Sequence, residues 1–349
     1  VREYAHVRFT EQQIEERLSG NTRLRFDSVE GYKNIYSTSV NVHCATCAWT
    51  SKITLALAMG DRCPSCDASG SKAQSELLSW IESLGYVAKS NVVGIVGGRQ
   101  QIDIFVPEKM LGIEYNGLYW HSEQAGRDSF YHARKTARCT ALGIRLMHVF
   151  EDDWRDRRPI VESLIRHRLG LTPRKVSARE CELRALSAKE RRAFFEANHL
   201  DGDVAANECL GLVLSGEVVM ALSLRKPFHR AHSDRLEVAR SCPALDTVVR
   251  GGLSRLIKAA LTRAKEQSRA GLITYVDGRI GDGAGYIKAG LRKTGETPPR
   301  FWWTDFDRRF NRFKFKANAA EGLSEREVAA QAGVVKVWGC SNVVLTIDA

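Results

Sequence analysis

Residues 101–154, QIDIFVPEKMLGIEYNGLYWHSEQAGRDSFYHARKTARCTALGIRLMHVFEDDW, decide how this 349-residue chain is built. QIDIFV alternates with period two, which places Ile102, Ile104 and Val106 on one face of a strand and Asp103 on the other. Pro107 has no N–H for a ladder and ends that strand. MLGIEYNG reads as a second strand with one carboxylate, Glu114, in an otherwise apolar run, and Asn116 and Gly117 mark a turn. His121 follows Tyr119 and Trp120, a helix runs through Lys135 and Arg138, and IRLMHVF is a further strand that ends in Glu151, Asp152 and Asp153. A helix from Pro159 to Leu169 comes next. In this scheme His132 sits on the polar side of its helix, His148 is a core residue of its strand, and Cys139 is a buried small hydrophobe.

A carboxylate inside each of two neighbouring strands costs desolvation energy unless a cation meets it. A hairpin carrying Asp103 and Glu114 can bring two hard oxygen ligands to one Mg2+, which keeps several waters and accepts phosphate oxygens. Lys or Arg partners at the strand ends would satisfy the same charges.

Upstream, SKAQSELLSWIESLG at 71–85 places Leu77, Leu78, Trp80, Ile81 and Leu84 on one helical face, with Glu76 beside that stripe and Gly85 as the stop. Before it, a short helix over 10–20 and a β-rich stretch lead into Cys44, Cys47, Cys63 and Cys66, spaced C-x2-C-x15-C-x2-C. Two such knuckles present four thiolates to one tetrahedral Zn2+, and a closed four-sulfur site leaves no open position, so the zinc is expected to be structural.

The chain carries 52 basic and 41 acidic residues, a formal charge of +11, which favours a polyanionic partner. Trp154 to Arg192 holds twelve of the basic residues against five acidic ones. That segment is expected either to track phosphates or to be a solvated connector. Beyond it, residues 177–349 show mixed α/β patterning. ECLGLVLSGEVVMALSL forms a hairpin around Ser215 and Gly216, RLEVARSC a strand, GGLSRLIKAALTRAKEQ a helix and LITYVDGR another strand. RFWWTDFDRRFNRFKFK, from Arg300 to Lys316, interleaves seven aromatic with six basic residues, a pattern that suits phosphates and exposed bases or an alternating core strand. No window has the unbroken apolar length of a membrane span, and VREYAHVRF at the start is too charged for a signal peptide.

SKAQSELLSWIESLG, IDIFVPE, LGIEYNGLYWHSE, YHARKTARC and GIRLMHVFEDDW together resemble the PD-(D/E)XK nuclease superfamily, in the branch shared by very-short-patch-repair and EDxHD homing endonucleases. The usual E-x-K element reads Glu114, Tyr115, Asn116 here and lacks its lysine, which Lys135 would replace from the following helix. The resemblance implies Asp103 as the main Mg2+ ligand assisted by Glu114, with Glu76 holding metal through water or orienting it. It implies His121 as the group that activates water or protonates the leaving 3′ oxygen, oriented by Asp152, with Asp153 the close competitor.

YKNIYSTSVNVHCATCAWTSKITLALAMGDRCPSC resembles zinc-ribbon modules of phage and mobile-element endonucleases, and the order of elements after residue 177 resembles the GNAT acyltransferase fold. In that fold a glycine-containing loop at a helix N-terminus cradles the acyl-CoA pyrophosphate, and VVRGGLSR is a partial version of it. LSEREVAAQAGVVKVWGCSNVVLTID resembles the tail behind phage homing-type nuclease domains, where Cys340 has a structural place.

The expectation is therefore an α/β (α+β) chain with a zinc ribbon at 1–70, a restriction-endonuclease-like core at 71–170 and a GNAT-like domain at 171–349. Its expected activity is that of a site-specific, Mg2+-dependent homing endonuclease on double-stranded DNA. It would act as a monomer or transient homodimer in the cytoplasm of a bacterial cell that bears a phage or mobile element. The alternatives are a mismatch or strand-nicking repair endonuclease, and a DNA-binding protein with an acyltransferase-like domain.

Overall fold

A computed structural model describes residues 9–35, 37–46, 48–61, 63, 70–97, 100–316 and 322–349. Its first unit contains α1 (Glu11–Ser19), the antiparallel strands β1 (Leu24–Val29), β2 (Ser39–Cys44) and β3 (Thr50–Thr54), and the single turn α2 (Leu55–Ala58). Thr10 and Gln13 close a reciprocal capping box that starts α1. Ile14 and Leu18 then bury against Val40, Val42, Ile53 and Leu55. Asp61 ties the two ends of this unit together by accepting the backbone N–H groups of Thr22, Arg23 and Leu24 at 2.6, 2.9 and 2.8 Å.

The middle of the chain runs α3 (Gly70–Ser83), β4 (Lys89–Val93), β5 (Gln101–Val106), β6 (Leu111–Asn116), α4 (Tyr131–Ala141), β7 (Arg145–Phe150), α5 (Glu151–Asp156) and α6 (Arg158–Leu169). The strands form one sheet in the order β4-β5-β6-β7, antiparallel except for the β6–β7 pair, which α4 joins as a crossover. Every residue of β6 is buried, as a central strand covered on both faces requires. Leu77 and Ile81 of α3 cover Ile104, Ile113 and Met147 on one face, and Cys139 of α4 covers Ile102 and Leu146 on the other. At Gly112 a Cβ would stand 2.8 Å from Leu146 Cδ1, so a glycine lets these two strands pack closely.

The last part contains β8 (Arg174–Ser177), β9 (Glu182–Ala185), α7 (Ala188–Asn198), β10 (Glu208–Leu214), β11 (Glu217–Arg225), β12 (Leu236–Pro243), β13 (Thr247–Arg250), α8 (Gly252–Glu266), β14 (Gly271–Asp277), α9 (Ala284–Lys288) and β15 (Arg292–Glu296). It ends with β16 (Phe301–Thr304), β17 (Arg309–Phe310), α10 (Glu325–Gln331), β18 (Val335–Trp338) and β19 (Asn342–Asp348). A seven-stranded sheet runs β15-β19-β14-β12-β11-β10-β9, and its one parallel pair, β12 with β14, holds only from Leu236↔Leu272 to Val238↔Thr274. The β10–β11 hairpin turns at Ser215 (φ 50) and Gly216 (φ 84), the paired left-handed residues of a tight two-residue hairpin turn. A small sheet β17-β16-β18 is inserted between β15 and β19. Among the described residues no helix is long and apolar enough to cross a membrane.

The basic segment 154–192 is not an open phosphate track. Its arginines are used internally: Arg157 bonds Glu196, Arg166 bonds Glu162 and Asp246, Arg174 bonds Glu217, Arg191 bonds Asp203, and Arg168 donates to the Ile280 carbonyl. These pairs fasten α6 and its successors to the last sheet, so most of the segment's charge is neutralised where it stands.

Candidate functional site

Period-two alternation puts Gly112, Glu114 and Asn116 of β6 on one sheet face, and the parallel register places Glu114 beside His148 and Asn116 beside Phe150. On the neighbouring side, the β5–β6 ladder pairs Val106 with Leu111 and Ile104 with Ile113. One residue further, side chains join it: Asp103 N–H donates to Glu114 Oε1 (3.3 Å), and Tyr115 N–H donates to Asp103 Oδ2 (2.9 Å). Above this face α4 buries His132, Lys135 and Cys139, the i, i+3, i+7 stripe of one helical side. Lys135 Nζ donates to Glu114 Oε2, and both side chains are buried, 3% and 2% exposed.

Two carboxylates and one ammonium leave one negative charge uncompensated in a largely dry place. Burial and then the neighbouring Asp103 charge push Glu114 up to about 7, against the pull of Lys135. Burial likewise raises Asp103. Asp103 is the half-buried member of the pair.

A histidine sector continues from this cluster. The half-buried His121 stacks on His132 with centroids 5.0 Å apart and planes inclined by 22°, and His132 meets His148 edge-on at 5.0 Å. His148 Nε2 lies 2.8 Å from Thr136 Oγ1, and its Nδ1 is 3.4 Å from Asn116 Nδ2. Among the described residues, neither ring nitrogen of His132, nor Nδ1 of His121, nor Oδ1 of Asn116 finds a hydrogen-bond partner. Burial, then nearby cations and the other rings, holds all three imidazoles below the ordinary range, His132 at about 3.

Of the residues singled out from the sequence, Asp103, Glu114 and Lys135 come together, and His121 lies in the adjoining sector. Three placements are corrected. Glu76 is exposed and bonded to Arg158 of α6; the α3 side chain that reaches the strand is Gln74, whose Nε2 donates to the Asp103 carbonyl at 3.1 Å. Asp152 does not orient His121, because Arg309 takes it, through Nε at 2.8 Å and its backbone N–H at 2.9 Å. Asp153 is bound by Arg309 and by Arg279. His132, placed by its helix pattern on the polar side, is buried, since His121 and His148 supply the surface that covers it.

Asn116, Thr136, His132 and His148 were missed as one group. The only trace of that group in the sequence is the spacing of His132, Lys135, Thr136 and Cys139 along one helical side.

In the first unit Cys44 and Cys63 are buried in one core, and Thr46 N–H donates to Cys44 Sγ at 3.4 Å. Cys47 and Cys66 lie outside the described residues. No group of three or more His, Cys, Asp or Glu side chains among the described residues is arranged to hold a metal ion.

No family model matches the chain, and no curated protein matches it. Solved structures do. An acetyltransferase from Bacillus subtilis in complex with CoA is 14% identical with a TM-score of 0.31, covering 48% of this chain and 99% of that one. A GNAT family acetyltransferase from Elizabethkingia anophelis with acetyl-CoA bound is 13% identical with a TM-score of 0.30, covering 49% of this chain and 99% of that one. The enzyme class expected from the sequence, a DNA endonuclease, is corrected by this finding: the solved structures that match are acetyltransferases, not DNA endonucleases.

Proposed function

We propose that this chain is a DNA-binding protein with an acyltransferase-like scaffold, and that Asp103 and Glu114 hold a divalent cation against the DNA backbone. The observation that carries this is the convergence of those two carboxylates with Lys135, which leaves one negative charge over. The donor set fits Mg2+: it is all oxygen, and Mg2+ commonly takes one or two carboxylates and fills its remaining positions with water and phosphate oxygens. Bound there, the cation supplies positive charge to a phosphate. Lys135 pulls Glu114 toward its ionised form and holds it in place, and Gln74 fixes the strand at Asp103. The +11 charge of the chain supports the same reading.

A structural Zn2+ at Cys44, Cys47, Cys63 and Cys66 belongs to this proposal, as do a cytoplasmic location and action as a monomer or transient homodimer on double-stranded DNA. The test is fluorescence anisotropy of a labelled duplex with Mg2+ and with EDTA, for the wild type and Asp103→Asn. Salt-sensitive binding that Mg2+ strengthens only in the wild type is expected, and a duplex that never binds would end the proposal.

A second reading, binding of an acyl-CoA, is favoured by one feature. A cavity of about 700 Å3 at the N-terminus of α8 is lined by Ser177, Arg179, Arg250, Gly251 and Arg255. Against it, Arg255 is committed to the Ala178 and Cys181 carbonyls, and Ala178 Cβ stands 3.9 Å from where a side chain on Gly251 would begin. Titration calorimetry with acetyl-CoA decides between an open and a filled cradle.

A further inference from the structure

The aromatic run after Arg300 is taken up by packing: Trp303, Phe315, Ala329 and Val334 form one core that Phe301 and Phe310 join, and Lys336 and Arg312 lie over the Phe301 ring. Uncommitted cations beside an open ring occur instead at the far end of the last sheet, on the loop between β11 and β12.

That loop, residues 226–235, reads KPFHRAHSDR, with Asp234 its one acidic residue. Phe228 is 77% exposed. Arg225 backs one face of the ring at 4.2 Å and is itself bonded to Glu237, so the other face and the edge stay open. The loop is ordered by its own bonds, since His229 Nδ1 accepts the Ala231 N–H and starts the short 3-10 turn Arg230–His232. Arg269 Nη1 donates to the Ser233 carbonyl at 2.8 Å, and the Ala270 N–H donates to the Asp234 carbonyl at 2.8 Å, which fastens the loop to the end of α8. Lys265 lies in the last turn of that helix.

Lys226, Arg230 and Lys265 are exposed and, among the described residues, have no ion pair. Their neighbours do: Arg235 holds Asp348, and Arg263 holds Glu208 and Glu266. The loop and the end of α8 thus form one surface on which three cations keep their charge available while the acids around them are largely matched. From this end β14 runs about 20 Å, at about 3.3 Å per residue, to Asp277. Just beyond it the Arg279 carbonyl meets His148, the strand neighbour of Glu114. The surface is therefore remote from the candidate cation site.

We propose that this surface is a second, distal contact of the protein with duplex DNA, in which Lys226, Arg230 and Lys265 meet phosphates and Phe228 enters a groove beside a base step. It rests on the DNA-binding reading and adds to it a place where the duplex is held away from the cation. The three free cations choose a polyanion. A bilayer is bound through a broad apolar face, whereas Phe228 is, among the described residues, the one exposed large apolar side chain between Leu171 and Ile287. A single ring among cations suits a duplex groove, where phenylalanine side chains wedge at base steps.

The experiment measures the anisotropy of a labelled duplex of about two helical turns over a series of salt concentrations, with Mg2+ present, on the full chain. Lys226→Gln, Arg230→Gln and Lys265→Gln together are expected to lower the salt slope by about 2 to 3, one phosphate contact each. Equal charge removed elsewhere on the last domain, by Lys175→Gln, Lys189→Gln and Arg192→Gln, leaves the slope within about 1 of the wild type. Phe228→Ser, at an exposed position whose change cannot empty a core, weakens binding about tenfold at an unchanged slope and melting temperature, the scale of one aromatic contact to a base.

An unchanged slope in the first variant overturns this proposal alone, as do equal losses in the two charge variants, which mark a diffuse field of charge. Unchanged affinity in Phe228→Ser overturns it too. If the three cations matter for binding to vesicles of anionic lipid but not to the duplex, the surface belongs to a membrane and the proposal falls. Absence of duplex binding by the wild type overturns the DNA-binding reading, and this proposal with it.

Discussion

Two buried polar regions lie on either side of β7, and they differ in how completely their groups are satisfied. On one side, Arg279 is fully buried and donates to Asp153, Asp201 and Asp277, while Arg309 holds Asp152 and Asp153, and both guanidiniums lie against Trp302. The Arg279 carbonyl accepts from the His148 N–H, so the network clamps the last sheet to the middle one. On the other side, the carboxylate pair has one lysine too few, and His132 has two nitrogens without partners among the described residues. A network with nearly all its charges matched is bonded into the fold. A region with unmet capacity has polar groups left over for a ligand, and the proposed Mg2+ uses two of its carboxylates.

The largest expected effect tests the clamp. Arg279→Met leaves Asp153, Asp201 and Asp277 without their central partner and should cost about 3–5 kcal/mol, the range for breaking a buried ion pair from one side. Urea unfolding measures it, and a loss below about 1 kcal/mol would show the network to be dispensable.

Next comes acid. The three imidazoles have folded-state values below 6.5, so each contributes stability that is complete above about 6.5 and is lost as pH falls. Glu114, raised to about 7, has the opposite sign: the folded state takes up its proton between about 7 and 4.5 and offsets one of the three. Asp201 and Asp277 are held below their usual value, burial being outweighed by Arg279 and Arg300, so the clamp keeps its contribution until pH falls below the carboxylate range. Without divalent cations, these four groups together should therefore lower stability by roughly 2–3 kcal/mol per pH unit below 6.5, and His199, held by burial at about 4, adds to the fall. His132→Phe should remove about one proton from that slope, and a pH series of urea midpoints reads both.

The contrast also marks what could be read from the sequence. Asp103 and Glu114 were legible because a charge inside an alternating strand breaks a local pattern, and Lys135 because the expected lysine was missing from its usual place. The strands, α3, α8 and the β10–β11 hairpin follow from period and turn chemistry. Asp152 and Glu76 were not legible, since an acidic residue at a helix start looks the same whether it faces an active centre or an arginine 157 residues away. His132 was misplaced for a related reason: helical periodicity ranks it by polarity, but its burial is decided by two other histidines on separate elements. The basic segment misled in the same way, its carboxylate partners being scattered from Glu76 to Asp307.

A smaller effect separates the candidate site from the clamp. Asp103→Asn removes a charge without removing volume, and its backbone N–H still reaches Glu114. Stability should stay within about 1 kcal/mol, as for changes that leave no cavity or unpaired charge. Mg2+ affinity should drop by about tenfold or more, as befits loss of one of two carboxylate ligands. Calorimetric Mg2+ titration with a folded control tests this, and unchanged affinity would place the cation elsewhere.

Glu76→Gln should do the least. The carboxylate is half-exposed, and Arg158, which holds it below the usual carboxylate range, keeps Glu162 as a second partner. An exposed pair of this kind contributes about 0–1 kcal/mol. Neither Mg2+ affinity nor duplex affinity should move, because Gln74 and not Glu76 is the α3 residue in contact with the Asp103 strand. If Glu76→Gln weakened Mg2+ binding as much as Asp103→Asn, α3 would have to turn its acidic side toward the sheet when the cation binds. Loss of the Arg158 bond would then be part of the binding equilibrium, and Arg158→Gln, which frees Glu76, would strengthen Mg2+ binding.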